Sequence, residues 1–305
     1  MLFLFKALAD QTRLRLLAIL QLGEFTVQEL VDILQMGQSR ISRHLKVLLD
    51  AGVVQVKREG TWAYYQLQPT NGLFLDLLPH LEKRWSGLAE YARDRTALVK
   101  ILSARRQRSR EFFDRHARQW DQMARDLLPT ADYLSQLLVL IPDCVKLLEV
   151  GVGTGSLMAA VADRAERLVG VDHSPSMLEA AREATAVFSH IELKLGQMEA
   201  LPQESDSVDV VLLNMVLHHA SDPAAVIREL ARVLHSGGRL LLCDLQRHDK
   251  EWVRDELADQ WLGFTVQDLS VWCSEAGFEQ VVTEIIGGRT DEWPVVILTA
   301  IKETH

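Results

Sequence analysis

Long apolar runs are missing from this chain of 305 residues. No stretch approaches the roughly 18 consecutive apolar residues that a membrane-spanning helix needs, so no membrane partner is expected. The opening "MLFLFKALADQTRLRLL" has charges inside its apolar stretch and no small-residue cleavage site, which argues against a signal peptide. Cysteine is scarce: Cys144, Cys243 and Cys273 are far apart, odd in number and form no CxxC pair. That usage suits reduced thiols in a cytoplasm, with burial as their ordinary role. Basic charge is also short, the net charge being −9, but the deficit is uneven. Residues 1–105 hold 14 Lys and Arg against 10 Asp and Glu, whereas residues 106–305 hold 19 against 32. Only the first part has the sign to meet a polyanion, and its excess is modest. What is present, 48% apolar and 25% charged residues, is the balance of a globular protein, and the length suits two domains.

The first seventy residues carry a compact set of signals. "EFTVQELVDIL" (24–34) opens a helix with Thr26 as N-cap and Glu29 three residues on, a capping box, with Phe25 and Leu30 placed as its hydrophobic staple. After a short turn around Gly37, "MGQSRISRHLKVLLDAG" (36–52) reads as a second helix. Its Ile41, Leu45, Leu48 and Leu49 make one apolar stripe, and Gly52 stops it as a left-handed cap. Gln38, Ser39, Arg40, Ser42, Arg43, His44 and Lys46 fall largely off the stripe. "VVQVKREGTWAYYQL" (53–67) alternates and turns at Glu59-Gly60, a β-hairpin. A polar, basic helix alone fits a protein–protein module equally well. With the hairpin directly after it, the pattern is a winged helix-turn-helix, an α+β module whose second helix enters the major groove of double-stranded DNA. Lys57, Arg58 and Thr61 at the hairpin tip are then candidates for the DNA backbone.

"LADQTRLRLLAIL" and "SRISRHLKVLLDAGVVQVKREGTWAYYQL", in this spacing, resemble the ArsR-type family of dimeric bacterial winged-helix repressors. The resemblance covers roughly residues 4–70 and implies a homodimer. Where many members carry metal-sensing cysteines, this chain reads "GEFTVQEL", with no Cys or His. Asp76, His80 and Glu90 stand nearest to a second metal position of the family, but Pro79 disturbs their helix. No metal sensor is therefore expected.

From Leu81 to Leu102 the apolar positions keep helical spacing, which suits a long helix packing on a partner. "SARRQRSR" (103–110) is the most polar stretch and the best linker; a helix end rich in arginine is the alternative. "REFFDRHARQWDQM" (110–123) then resembles the segment that precedes the catalytic core in methyltransferases related to those of quinone biosynthesis. By that resemblance it brings Phe113, His116 and Trp120 near a bound cofactor; packing on the core is the equal alternative for each. The expected division is residues 1–70 as winged-helix domain, 71–109 as dimerisation and linker helices, and 110–305 as a second domain.

After Pro142, strand and helix patterns alternate, with Ser174-Pro175 and Asp222-Pro223 as N-cap and first helical residue. Apolar strands alternating with helices mean a parallel sheet covered on both faces, a Rossmann-like α/β fold with its ligand at the strands' carboxyl ends. The loop in "LLEVGVGTGSL" (147–157) has Gly151, Gly153 and Gly155, then Ser156, where a dinucleotide fingerprint needs a sixth-position glycine. Glu149 before the first glycine is unwelcome beside pyrophosphate but balances an ammonium. Asp172 ends the next strand, where a carboxylate accepts ribose hydroxyls. S-adenosylmethionine (SAM) therefore fits better than a nicotinamide dinucleotide. The loop, "VGVDHSPSMLEAA", "LPQESDSVDVVLLNMVLHH" and "ARVLHSGGRLLLCD" together resemble a class I SAM-dependent methyltransferase over residues 110–301. The resemblance implies that Glu149, Gly151, Gly153, Gly155, Asp172 and Asn214 hold SAM or its product S-adenosylhomocysteine (SAH), with His173 and Met177 flanking adenine. Gln197 stands where Asp commonly accepts the adenine amine, and Met198 where Ala is usual.

Methyl transfer needs positioning first, and a general base only if the acceptor must lose a proton. His218 and His219 after the fourth strand, and Asp244 and His248 after the fifth, are the candidates; helix capping or packing is the alternative for the histidines. Nothing in the sequence names a small-molecule acceptor. "NMVLHH" lacks the Asn/Asp-Pro-Pro-aromatic motif that methylation of DNA bases requires. Two functions remain open: a cytoplasmic transcription regulator whose methyltransferase half binds SAM or SAH as substrate or effector, or a small-molecule methyltransferase with an accessory DNA-binding domain.

Overall fold

Side-chain caps fix where the first helices begin. Asp10 accepts from the backbone N–H of Arg13 and starts the helix Gln11–Leu20. Thr26 and Glu29 close the expected capping box on the helix Val27–Leu34, and Gln35 ends it in the left-handed region at φ 54°. Gly37 opens the helix Gln38–Asp50, and Gly52, at φ 65°, turns the chain out of it. These elements come from a computed structural model that describes residues 1–59, 62–67, 69–128, 132–288 and 292–304. The chain divides into two units, Met1–Arg105 and Arg106–His305.

In the first unit β1 (Phe25–Thr26), β2 (Val54–Glu59) and β3 (Trp62–Leu67) form an antiparallel sheet in the order β1-β3-β2. Leu16, Leu17, Phe25, Leu30, Ile41, Leu45, Leu48 and Phe74 share its core. This is the expected winged helix. The long helix read from Leu81 is corrected: a helix Gly72–Glu82 ends, a 3-10 turn Trp85–Gly87 intervenes, and a new helix runs Tyr91–His116. Trp85 turns inward there, its Nε1–H donating to Gln21 Oε1 at 3.0 Å. The polar stretch 103–110 holds the boundary between the two units, as expected of the linker, and is helical, lying inside this 26-residue helix. Ala, Arg and Gln are good helix formers, and Arg105 is anchored, donating to Glu29 Oε1 at 2.8 and 3.0 Å. Asp94 on the same helix takes a bidentate pair from the buried Arg15, at 2.5 and 2.7 Å. Removing one partner of such a buried pair typically costs about 3–5 kcal/mol.

In the second unit seven strands form one sheet: β4 (Cys144–Val150), β5 (Ala165–Asp172), β6 (Ile191–Leu195), β7 (Val208–Asn214), β8 (Leu234–Leu245), β9 (Phe278–Ile286) and β10 (Val295–Lys302). Their order is β6-β5-β4-β7-β8-β10-β9, parallel through β8 and antiparallel at β10 and β9. Neighbouring residues serve opposite faces: Leu148 and Val211 join one core, Leu147 and Val210 the other. Both faces are thus buried, which is why the strands read as near-continuous apolar runs. Ser174 and Asp222 cap the helices Pro175–Ala184 and Pro223–Val233 as expected. Strand order reverses at β4, which places the crevice of such a sheet at the carboxyl ends of β4 and β7. Among the described residues no helix is long and apolar enough to cross a membrane.

Candidate functional site

Two places in the chain hold functional side chains, one in each unit. On the helix Gln38–Asp50 Ile41, Leu45 and Leu48 of the apolar stripe are buried and Leu49 is half-buried, and Gln38, Ser39, Arg40, Ser42, Arg43 and Lys46 are exposed. His44 departs from this set. Its ring is half-buried with Nδ1 3.6 Å from Asp10 Oδ1, and burial lowers its pKa, against the pull of Asp10. The side chains of Lys57 and Arg58, and Thr61 altogether, lie outside the described residues.

In the second unit a cavity of about 440 Å³ opens at the ends of β4, β5 and β7. Glu149, Gly151, Gly153, Asp172, His173, Met177, Met198, Asn214, His218 and His219 all line it. The glycines explain the loop. At Gly151, φ 72°, a Cβ would stand 2.4 Å from the Val216 side chain, while at Gly153, φ 52°, it would meet open space. Gly153 therefore leaves room for a ligand against the backbone. Gly155 corrects the expectation that all three glycines face the ligand. It is outside the lining, and a Cβ there would press on Ala181 at 3.0 Å, so it permits close packing of the helix Pro175–Ala184. Gln197 is exposed and also outside the lining, its backbone bridged to Ala200. His248 packs its ring on Trp293 with centroids 4.7 Å apart, away from the cavity. His116 faces back to its own helix, with Nδ1 2.8 Å from the Phe112 carbonyl. Phe113 and Trp120 do line the cavity, their rings edge to face at 5.0 Å.

Two buried carboxylates face each other across this loop. Asp172 Oδ2 accepts from the Gly153 N–H at 3.0 Å and Oδ1 from the Ser174 N–H at 2.8 Å, one backbone bond per oxygen. Lone pairs remain on both. Glu149 is buried and its Oε2 has no hydrogen-bond partner. Burial, then the charge of Asp172, pushes its carboxyl up to about 8. Burial raises Asp172 as well, against His173 and the backbone N–H groups. A pair of this kind is held ready for a cation or for hydroxyl donors.

At the other side of the cavity His218 Nδ1 sits 2.6 Å from Asp244 Oδ1. Burial opposes charge on this ring, but Asp244 and Asp259 outweigh it and push its pKa up to about 9. The His219 ring lies against His218 with centroids 4.1 Å apart and planes inclined at 57°, and stands edge-on to Phe113 at 4.8 Å; burial drives its pKa well below the ordinary value.

Sequence reading missed three acids. Asp121 accepts from Thr154 at 2.8 Å and Ser156 at 3.1 Å, and Asp114 accepts from the Ser174 hydroxyl at 2.6 Å. Both lie in the segment 110–123 and fasten it over the glycine loop. Asp259, 4% exposed, stands beside both histidines and belongs to no motif.

Residues 10–56 match the family model of bacterial regulatory proteins of the arsR family, and residues 148–242 match that of a methyltransferase domain. The chain is 44% identical over 77 residues to the arsenical resistance operon repressor of Bacillus subtilis, covering 24% of this chain and 73% of the repressor. It is 34% identical over 145 residues to an arsenite methyltransferase of Halobacterium salinarum, covering 44% of this chain and 37% of that protein. Among other curated relatives the chain spans 28% of a 37.1 kDa transposon protein of Streptomyces fradiae and 44% of a methyltransferase of Mycobacterium bovis. In fold it is similar to the N-methyltransferase NodS of Bradyrhizobium japonicum solved with SAH. The TM-score is 0.53 at 16% identity, over 64% of this chain and 98% of that one.

Proposed function

The chain belongs to the arsR family of bacterial regulatory proteins, and on that premise we propose that it is a transcriptional regulator whose methyltransferase domain binds SAM or SAH. The helix Gln38–Asp50 reads double-stranded DNA through its exposed face, with Arg40, Arg43 and Lys46 supplying the charge. Self-association is supported by the exposed apolar Leu2, Phe3 and Phe5 on the first helix, Leu2–Leu8.

The observation that carries the cofactor reading is Glu149, a buried carboxylate with an unpartnered oxygen, set beside Asp172 around the glycine loop. The residues present fit SAM. Glu149 offers charge to the ammonium, Asp172 offers its remaining lone pairs to the ribose hydroxyls, and Gly153 leaves the space. Met177 and Met198 supply apolar surface for adenine; Gln197, being exposed, takes no part. Bound SAM supplies an electrophilic methyl group. What this chain adds is position: Asp114 and Asp121 hold the segment 110–123 over the loop, and Phe113 and Trp120 exclude water.

Turnover on a small-molecule acceptor is the second reading, favoured by His218 and His219 in the wall of the same cavity. Isothermal titration with SAH tests the shared premise. Stoichiometric binding that Asp172→Ala abolishes supports it; no binding by the wild-type chain refutes it.

A further inference from the structure

Asp259 is a carboxylate without a role in the methyl-donor site. Its side chain is fully buried, and neither oxygen has a hydrogen-bond partner. An ionised group in that position is costly unless something compensates it. Two imidazoles approach it, His218 with Nε2 at 3.7 Å and His219 with Nδ1 at 3.6 Å from Oδ1, and the Arg254 charge also acts on it. Both distances are too long for hydrogen bonds. They match the separation of about 3.4 Å expected between two ligands on one tetrahedral ion with bonds of about 2.0–2.2 Å. The Ala258 carbonyl stands 3.4 Å from the same His219 Nδ1, so that nitrogen binds an ion only in the tautomer with its proton on Nε2.

We propose that His218, His219 and Asp259 form a binding site for a divalent transition-metal ion, two imidazoles and one carboxylate being a donor set that Zn²⁺ accepts. The three donor atoms lie within 4.8 Å of one another. Asp244 supports the set: it holds His218 Nδ1 at 2.6 Å, which leaves Nε2 as the donor, the arrangement in which a carboxylate orients a metal-binding histidine. The segments carrying the ligands are stapled together. The backbone N–H groups of Gln260 and Trp261 donate to the His218 carbonyl at 2.9 and 3.0 Å. Their side chains donate to the carbonyls of His219 at 2.9 Å and Ala220 at 2.8 Å. An ion reaches the site from the cavity, whose wall both imidazoles form. Three protein ligands leave one position for water or an incoming molecule. The site rests on this geometry alone and stands whether or not the cavity holds SAM.

The test uses the full-length untagged chain, stripped with a chelator and titrated with Zn²⁺ and, separately, Co²⁺. The expected result is one ion per chain and the visible absorption of tetrahedral Co²⁺. Asp259→Asn and His219→Gln should weaken uptake at least as strongly as Asp244→Asn, for which loss of a supporting carboxylate predicts a drop of roughly 10–100-fold. Circular dichroism checks the fold of each variant. If Asp259→Asn fails to fold, the wild-type Co²⁺ spectrum and the milder Asp244→Asn decide. No saturable uptake, or uptake unchanged by folded variants, overturns the proposal and leaves a proton-sharing His218 between two aspartates. SAH titration of the same sample separates this outcome from the cofactor reading.

Discussion

The helix Gln38–Asp50 and the cavity at the end of β4 both present charged side chains, and they hold them in opposite ways. Arg40, Arg43 and Lys46 stand in water on a helix whose other face is buried. Glu149 and Asp172 are 3% and 7% exposed. A solvated set acts largely by the sum of its charges and is screened by salt. A buried pair acts through single, directed contacts, so each member matters and its own ionisation is perturbed. The difference teaches where to look: in the first unit for salt dependence, in the second for pH dependence.

The sharpest way to break that contrast is Asp172→Ala. Truncating one partner of a buried charged contact costs about 2–5 kcal/mol, so SAH affinity should fall on the order of 100-fold by calorimetry, in 50 and in 200 mM salt alike. Strong salt dependence of the wild-type affinity would place the pocket with the surface site. Next in size is the pH effect. Glu149 is protonated in the free chain below about 8, and binding a cation needs it ionised. SAH affinity should therefore rise with pH, by close to tenfold per pH unit below that value, and the slope should vanish in Glu149→Gln. A flat profile in the wild type would remove Glu149 from the ligand. Arg43→Ala should weaken DNA binding by about 1–3 kcal/mol if it reaches a base edge, or lower the salt slope by about 1 if it meets a phosphate. SAH binding should be unchanged. The smallest effect is expected at His44, whose ring is turned to Asp10: His44→Ala should shift DNA affinity less than about threefold, within ordinary surface effects. A loss as large as that of Arg43→Ala would return His44 to the DNA face.

Much of this was legible because the signals are local. A capping box spans four residues, so Thr26 and Glu29 announced their helix. The glycine loop and Asp172 lie at the ends of adjacent parallel strands, and a parallel sheet follows from alternation of strand and helix. What escaped depends on partners distant in sequence. His44 pairs with Asp10, Arg105 with Glu29, and Asp259 with the two histidines from about forty residues further along the chain. No periodicity records such contacts. The stretch 103–110 was legible as the boundary from its polarity, but the anchoring of Arg105 was not, because the acid it binds lies far off in sequence. Gln197 differs: its place in a motif was legible, but not that its side chain stands exposed and outside the cavity lining.

The most direct test of the account is fluorescence-anisotropy binding to DNA from the gene's own upstream region, at fixed salt, with no ligand, SAM or SAH. Sites coupled on one chain commonly differ by ~1–3 kcal/mol, roughly 5–150-fold in affinity. The account predicts a shift of several-fold or more that distinguishes the two ligands and disappears in Asp172→Ala. Tight DNA binding indifferent to both ligands would contradict it, and would make the second unit a separate enzyme carried on the same chain.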